Sequence, residues 1–233
     1  MKLYSKFDYN YFEHSKIRKD RRFVFRFYTS LIRRYKKSGN LLEIGCSFGY
    51  LLKRLEKDFN TYGIDKSSYA IKSSKNICRK SKTYVGDARN LSIFKNRFFD
   101  VVIALHVLEH LNTPEKAIAE VHRILKNNGI FIFVTPNTTS LMRKIKRDDW
   151  FGYRDKTHIS LLNPNEWLSL LENKFEIIKI FSDGFWDSPY IPIIPTMAQK
   201  PVFGFMTAVQ FIFCLPFIHV RLGENIVVIA RKS

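Results

Sequence analysis

At 233 residues, the chain has room for one sizeable α/β domain and too little for two. Its hydrophobic content of 45% excludes a disordered chain. Cys46, Cys78 and Cys214 are too widely spaced, and odd in number, for a disulfide framework or a metal knuckle. The net charge of +18 points to an anionic partner such as nucleic acid, lipid headgroups or an acidic substrate, although a generally basic proteome would produce the same excess.

In chain order, residues 1–37 carry twelve Lys and Arg against three acids, a net +9 and half of the total. Met1 to Asp20 shows no signal-peptide run, so a cytoplasmic setting is expected. Ile17, Val24, Tyr28, Leu31 and Tyr35 recur at helical spacing and predict a basic amphipathic helix over Ser15–Lys37, which Ser38-Gly39-Asn40 would stop. Strands follow at Leu41–Ile44, Thr61–Ile64, Thr83–Val85, Asp100–Leu105 and Gly129–Val134. Helices are expected from Tyr50 to about Phe59, from near Ser67, and from Thr113-Pro114-Glu115, where Thr113 can cap and Pro114 suits the first turn. A helix at Asn163–Asn173, a sixth strand at Phe175–Phe181 and a last strand at Asn225–Ala230 complete the pattern. Apolar strands alternating with amphipathic helices predict a doubly wound, mostly parallel α/β sheet of seven strands. Residues 1–39 read as a basic helical segment. Residues 40–233 read as the main domain, with an apolar insert at 182–222.

Ligands in such sheets sit at the carboxyl ends of the strands, where strand order reverses. The first strand ends in Glu43-Ile44-Gly45-Cys46-Ser47-Phe48-Gly49, a glycine turn before a helix. Glycines there let the backbone bend tightly, and the helix start offers N–H groups to a polar ligand. Asp65, at the end of the second strand, can accept both hydroxyls of an adenosine ribose, or it can cap the helix that opens near Ser67. A nicotinamide-binding domain would want glycines at Gly45, at Ser47 and at Tyr50, and only the first is present.

Leu41 to Gly49, Gly63-Ile64-Asp65, Val85-Gly86-Asp87-Ala88, Phe99 to Leu111 and Leu125 to Pro136 together resemble the ordered motifs of class I S-adenosylmethionine-dependent methyltransferases. The run Leu105-His106-Val107-Leu108-Glu109-His110-Leu111 resembles the small-molecule branch that includes ubiquinone and menaquinone biosynthesis enzymes. The resemblance spans about residues 40–180. It implies that S-adenosyl-L-methionine is the cofactor. By position, Gly45, Cys46, Ser47 and Gly49 would line its methionine part and Glu43 would stand near its amino group. Asp65 would hold the ribose, Lys66 would flank the adenine, Asp87 and Ala88 would meet the adenine edge, and Leu105 and His106 would cover the cofactor. Ser47 departs from the family's usual glycine.

A base is needed only where the acceptor must lose a proton. His106, Glu109, His110, Asp155 and His158 are the polar candidates. His158 lies in a segment, Trp150 to Ile159, that resembles a histidine-containing segment of this branch. It is expected to act as base or substrate anchor with Asp155 orienting it, or else to tie the loop to the sheet. No Asn/Asp-Pro-Pro-aromatic run follows the fourth strand, no cysteine nucleophile lies there, and no cluster of carboxylates suggests a metal. The acceptor is therefore expected to be a small or lipid-like molecule, methylated at oxygen.

Residues 202–220 carry no formal charge until Arg221, a length that could span a bilayer. A span would strand the last β-strand across the membrane, so a lid or membrane-facing flap is expected, approached by an irregular, exposed stretch at Tyr190, Pro192, Pro195 and Pro201. With the basic residues 15–37, it makes an anionic membrane surface an expected partner, with peripheral attachment on the inner face. Packing against the domain or a second subunit is the plain alternative. Two other functions stay open: an RNA-modifying or RNA-binding protein using the basic segment, and a cofactor-binding subunit without turnover.

Overall fold

The computed structural model describes residues 22–191 and 193–233. Residues 1–21, which hold most of the basic segment and the start of its expected helix, and Pro192 lie outside the described residues. The elements are α1 (Arg22–Tyr35), β1 (Gly39–Ile44), α2 (Tyr50–Leu55), β2 (Phe59–Asp65), α3 (Ser68–Ile77), β3 (Lys82–Val85), β4 (Phe99–Leu105), α4 (Pro114–Ile124), β5 (Leu125–Pro136), α5 (Leu141–Lys146), α6 (Phe151–Arg154), α7 (Pro164–Ser169), β6 (Phe175–Phe181), α8 (Thr196–Ile212) and β7 (Asn225–Lys232).

One seven-stranded sheet runs in the order β3-β2-β1-β4-β5-β7-β6. The first five strands pair in parallel, and β7 pairs antiparallel with both β5 and β6. Alternation along the central strands assigns each side chain to one of two cores. Leu42, Ile44, Val102, Ala104, Phe131 and Phe133 pack on one face with α4 and Trp167. Leu41, Val101, Ile103, Ile130 and Ile132 pack on the other with Phe27, Leu31 and Ile32 of α1. Both faces are covered, which explains why these strands read as unbroken apolar runs.

The basic N-terminal helix is thus a layer of the domain. Its buried stripe is Phe27, Tyr28, Leu31 and Ile32, each contributing on the order of 1.5–3 kcal/mol by leaving water. Several boundaries differ from the sequence reading, for local reasons. Thr113 makes no side-chain cap bond and Pro114 alone starts α4. The expected Asn163 helix does have its cap, a capping box in which Glu166 answers Asn163, yet it runs only to Ser169. β5 starts at Leu125 because the strand absorbs the turn around Gly129.

The described residues leading into α8, 182–191 and 193–195, form no helix or strand, so the approach is irregular as expected, although it is not exposed throughout. Tyr190 is buried, and Pro201 sits inside α8, in its second turn, where it removes one intrahelical hydrogen bond. Two carboxylates pin the insert to the domain. Asp183 accepts from the Tyr28 hydroxyl of α1 at 2.9 Å and from Asn225 Nδ2 at 2.9 Å. Glu224 Oε2 accepts from the Trp186 and Asp187 backbone N–H groups at 2.7 and 2.8 Å.

Burial lifts the Glu224 carboxyl to about 7. A carboxyl raised in the folded state costs stability progressively as pH climbs from its ordinary value to the raised one, and the full cost persists above it. Glu224→Gln carries no such titration. The melting temperature of the variant relative to the parent is therefore expected to shift in the variant's favour by several degrees between pH 5 and pH 8, as read by calorimetry. No relative shift would mean that Glu224 ionises freely in place.

Candidate active site

The chain reverses direction in the sheet between β1 and β4, and the crevice beyond their carboxyl ends is where this architecture holds ligands. The segment after β1 folds into a close bend. Gly45 and Cys46 both donate their N–H to the Ile64 carbonyl, at 2.8 and 3.1 Å, and Gly49 donates to the Cys46 carbonyl at 2.8 Å. Gly45, Ser47 and Gly49 have φ of 71°, 47° and 75°, a region that glycine enters freely and serine enters with strain. Gly45 also has no room for a side chain, since a Cβ there would stand 2.3 Å from Val107 Cγ2. Cys46 is buried, so its backbone rather than its thiol lines the bend.

Asp65 joins this bend to the second strand. Its Oδ2 accepts the Ser47 N–H at 2.8 Å and its Oδ1 accepts the Ser67 N–H at 2.9 Å. The carboxylate therefore takes the turn role at Ser67, and the ribose role expected for it becomes a matter of position. It opens the helix beside Ser67, and it stands against the glycine bend.

Glu43 lies beneath the same bend. Burial pushes its carboxyl well above the usual range, and the Asp65 charge adds to this. Its Oε2 is buried without a hydrogen-bond partner among the described residues. An orphaned carboxylate oxygen beside a backbone cradle fits a cationic amino group. The bend, Glu43 and Asp65 thus suit an amino acid joined to a nucleoside.

At the next strand end, Asp87 is held by Arg89 through Nε at 3.0 Å and Nη2 at 2.6 Å, and Lys66 Nζ lies 3.3 Å away. The Arg89 bonds pull the Asp87 carboxyl far below the usual range. Lys66, expected to flank an adenine, is thereby tethered by Asp87. Ala88 is buried beside them. Leu105 ends β4, and His106 leaves it at a φ of 55°, donating its N–H to the Val134 carbonyl at 3.0 Å.

A second cluster forms at the mouth. Glu109 is 0% exposed, and its carbonyl accepts the N–H groups of Ile159 and Ser160 at 3.0 and 2.9 Å, tying the loop after β4 to the segment that carries His158. His106 Nδ1 stands 3.2 Å from Glu109 Oε1, whereas Glu109 Oε2 has no partner among the described residues. The rings of His110 and His158 lie 4.9 Å apart.

His158 Nδ1 is 2.8 Å from the Gly152 carbonyl. A carbonyl only accepts, so Nδ1 carries a proton, and in the neutral tautomer this selects the lone pair is on Nε2. His110 Nδ1 faces the Thr157 carbonyl at 3.1 Å in the same way. Glu109, His110 and His158 offer atoms within 4.8 Å of one another, a set of acceptors able to take a proton.

Asp155 has a different part from the one expected. It stands 3.7 Å from His158 Nε2, beyond hydrogen-bond reach, and instead accepts from the Thr157 N–H at 2.9 Å and hydroxyl at 2.6 Å. The orienting group for His158 is the Gly152 carbonyl. Sequence reasoning missed both Gly152 and Thr157, because backbone acceptors and loop hydroxyls carry no spacing signature. It also missed Val107, whose packing on Gly45 only the folded chain reveals.

Comparison with known proteins bears on the family and the fold. The profile of a family described as a methyltransferase domain matches residues 17–177. An uncharacterized protein of Methanocaldococcus jannaschii is 39% identical over 109 residues, covering 47% of this chain and 46% of the relative. A ubiquinone biosynthesis O-methyltransferase of Pelagibacter ubique is 31% identical over 106 residues, covering 44% of each. The matched stretch thus spans less than half the length of these curated relatives. The crystal structure of a SAM-dependent methyltransferase from Archaeoglobus fulgidus superposes with a TM-score of 0.68 at 21% identity, covering 96% of this chain and 100% of that one, which shows the shared fold.

Proposed function

The chain belongs to the methyltransferase domain family, and from that premise we propose that it moves a methyl group from S-adenosylmethionine to an oxygen of a small or lipid-like acceptor. The observation that carries this reading is the meeting of Asp65 with the glycine bend at Ser47. Glu43 supports it as the group for the cofactor's amino end, Asp65 for its ribose, and Lys66, Asp87 and Ala88 for the adenine side. Gly45, Ser47 and Gly49 supply the backbone cradle, and Leu105 and His106 the cover.

When bound, the cofactor supplies a methyl group on a positively charged sulfur. The protein's own share is alignment, because an in-line displacement gains most from fixed geometry. His158 Nε2 would take the proton of the acceptor hydroxyl, leaving that oxygen able to receive the methyl group that the bound cofactor would supply. Gly152 keeps the ring in the tautomer that can do this. His110 and buried Glu109 lie beside it, where their acceptor atoms favour the positive charge that His158 gains. The ubiquinone relative's O-methyltransferase name is consistent with this choice of oxygen.

Calorimetry with S-adenosylmethionine and its demethylated product is expected to give heat for both. Incubating a total cell extract with methyl-labelled cofactor is expected to place label in the lipid or small-molecule fraction. Label in RNA or protein would overturn the acceptor class. Heat without label in any fraction would make this a binding subunit without turnover.

A further inference from the structure

α8 is built partly inside out. Its two glutamines face the protein: Gln199 is 2% and Gln210 0% exposed. Each closes a loop of the insert. Gln199 Oε1 accepts from the Tyr190 and Ile191 N–H groups at 2.7 and 2.9 Å. Gln210 Oε1 accepts from Phe217 and Ile218 at 2.9 and 3.0 Å, and its Nε2 donates to the Ser182 carbonyl at 3.0 Å.

Phe211 packs inward, and Phe203 and Met206 are partly buried, but a second set of apolar side chains faces outward. Val202 is 64%, Phe205 69% and Ile212 45% exposed, at spacings of three and seven that form one stripe. Phe213, Leu215 and Phe217 continue it as exposed residues beyond the helix end. Phe211, its ring 4.5 Å from that of Phe27, and the glutamine hydrogen bonds hold the inner side of this helix down, while the outer stripe stays uncovered, and a contiguous apolar patch of this kind marks a docking surface.

The patch runs into a basic groove. A cavity of about 660 Å³ is lined by Arg26 and Arg33 of α1, by Lys53, Arg54 and Lys57 of and beyond α2, and by Ile212, Phe213 and Cys214 at the end of α8. Arg34 fixes the two parts together by donating to the Cys214 carbonyl at 2.7 Å. Arg33 is paired with Asp58, and Lys53 reaches Glu56 at 3.4 Å. Among the described residues, Arg26, Arg54 and Lys57 have no acidic partner.

We propose that this combined face docks on an anionic membrane, with the groove taking a phosphate-bearing lipid headgroup and Val202, Phe205, Ile212 and Phe213 entering the acyl layer. The two signals complement each other as peripheral attachment requires, cationic attraction from the groove and apolar insertion from the stripe. A second copy of the chain would bring five more cations against the same groove, which charge repulsion disfavours. No described helix is long and apolar enough to cross a bilayer, so the face rests on the surface. This docking does not depend on methyl transfer, and its test reads no activity.

The full chain would be floated with phosphatidylcholine vesicles prepared with and without phosphatidylglycerol, next to Phe205→Asp and the double variant Arg54→Glu/Lys57→Glu. Both variants alter exposed side chains, and their melting temperatures confirm folding. Flotation is expected only with phosphatidylglycerol, weakened by added salt and by at least about tenfold in each variant. Three outcomes would overturn the proposal. These are no flotation of the parent, flotation indifferent to both variants, or light scattering that shows a dimer which Phe205→Asp splits, since a second copy would then cover the stripe.

Discussion

Replacing Asp65 with alanine is expected to weaken binding of S-adenosylmethionine and its demethylated product by about 100-fold or more, because two charge-assisted hydrogen bonds to a diol are worth about 1.5–3 kcal/mol each. The same change leaves the Ser47 and Ser67 N–H groups without their acceptor, so a lower melting temperature accompanies it. Asp65→Asn separates the two effects. Its remaining oxygen can still serve one backbone N–H, and part of the stability should return, while the amide cannot match a carboxylate toward both hydroxyls. Calorimetry and thermal melting on the three proteins check this. Unchanged affinity in Asp65→Ala, with the fold intact, would remove the ribose site from this part of the protein.

The second large effect is expected at His158. Loss of a positioned base lowers turnover by roughly 10²–10⁴-fold, so His158→Ala should lose label transfer to the acceptor fraction while affinity for the demethylated cofactor stays within about twofold. A cavity left by the ring could also disturb the loop, and His158→Gln addresses this. Its amide can still donate to the Gly152 carbonyl in place of Nδ1, yet it has no basic lone pair. Stability near the parent's with turnover as low as in alanine would identify proton transfer. The acid limb of the parent's pH–rate profile should vanish in the residual activity of both variants. Full turnover in His158→Gln would reduce His158 to a tether between its loop and Gly152.

Most of the sheet could be read directly because its strands are buried on both faces and therefore appear as short unbroken apolar runs, as at Val101–Leu105 and Ile226–Ala230. β6 was legible to the residue, since Phe175 and Phe181 bracket an isoleucine-rich run of strand length whose two charges, Glu176 and Lys179, mark it as partly exposed. The antiparallel insertion of β7 between β5 and β6 leaves no trace in periodicity, because strand direction is set by where the connection returns.

The two faces of α8 could not be told apart in the sequence, for a physical reason. An outward apolar stripe and inward glutamines give the same composition as a buried hydrophobic segment, and only the hydrogen bonds of Gln199 and Gln210 tell them apart. At the site, Gly45, Gly49 and Asp65 could be found because the bend demands small residues and an acid at a fixed distance along the chain. The role of Gly152 was invisible because a main-chain oxygen belongs to every residue alike.

The register of β6 on β7 carries a consequence for how such a chain can be rebuilt. Phe181 pairs with Val227, so the two ends of the whole 182–224 excursion emerge side by side from neighbouring strands. The excursion is topologically a hairpin loop of exceptional size, and its closure cost grows only slowly with length. It can be shortened, exchanged or grafted without re-threading any strand, provided that Tyr28 is relieved of the hydroxyl that Asp183 now satisfies. The surface carried by that loop is therefore free to diverge at a pace of its own, while the five parallel strands beneath it stay in place.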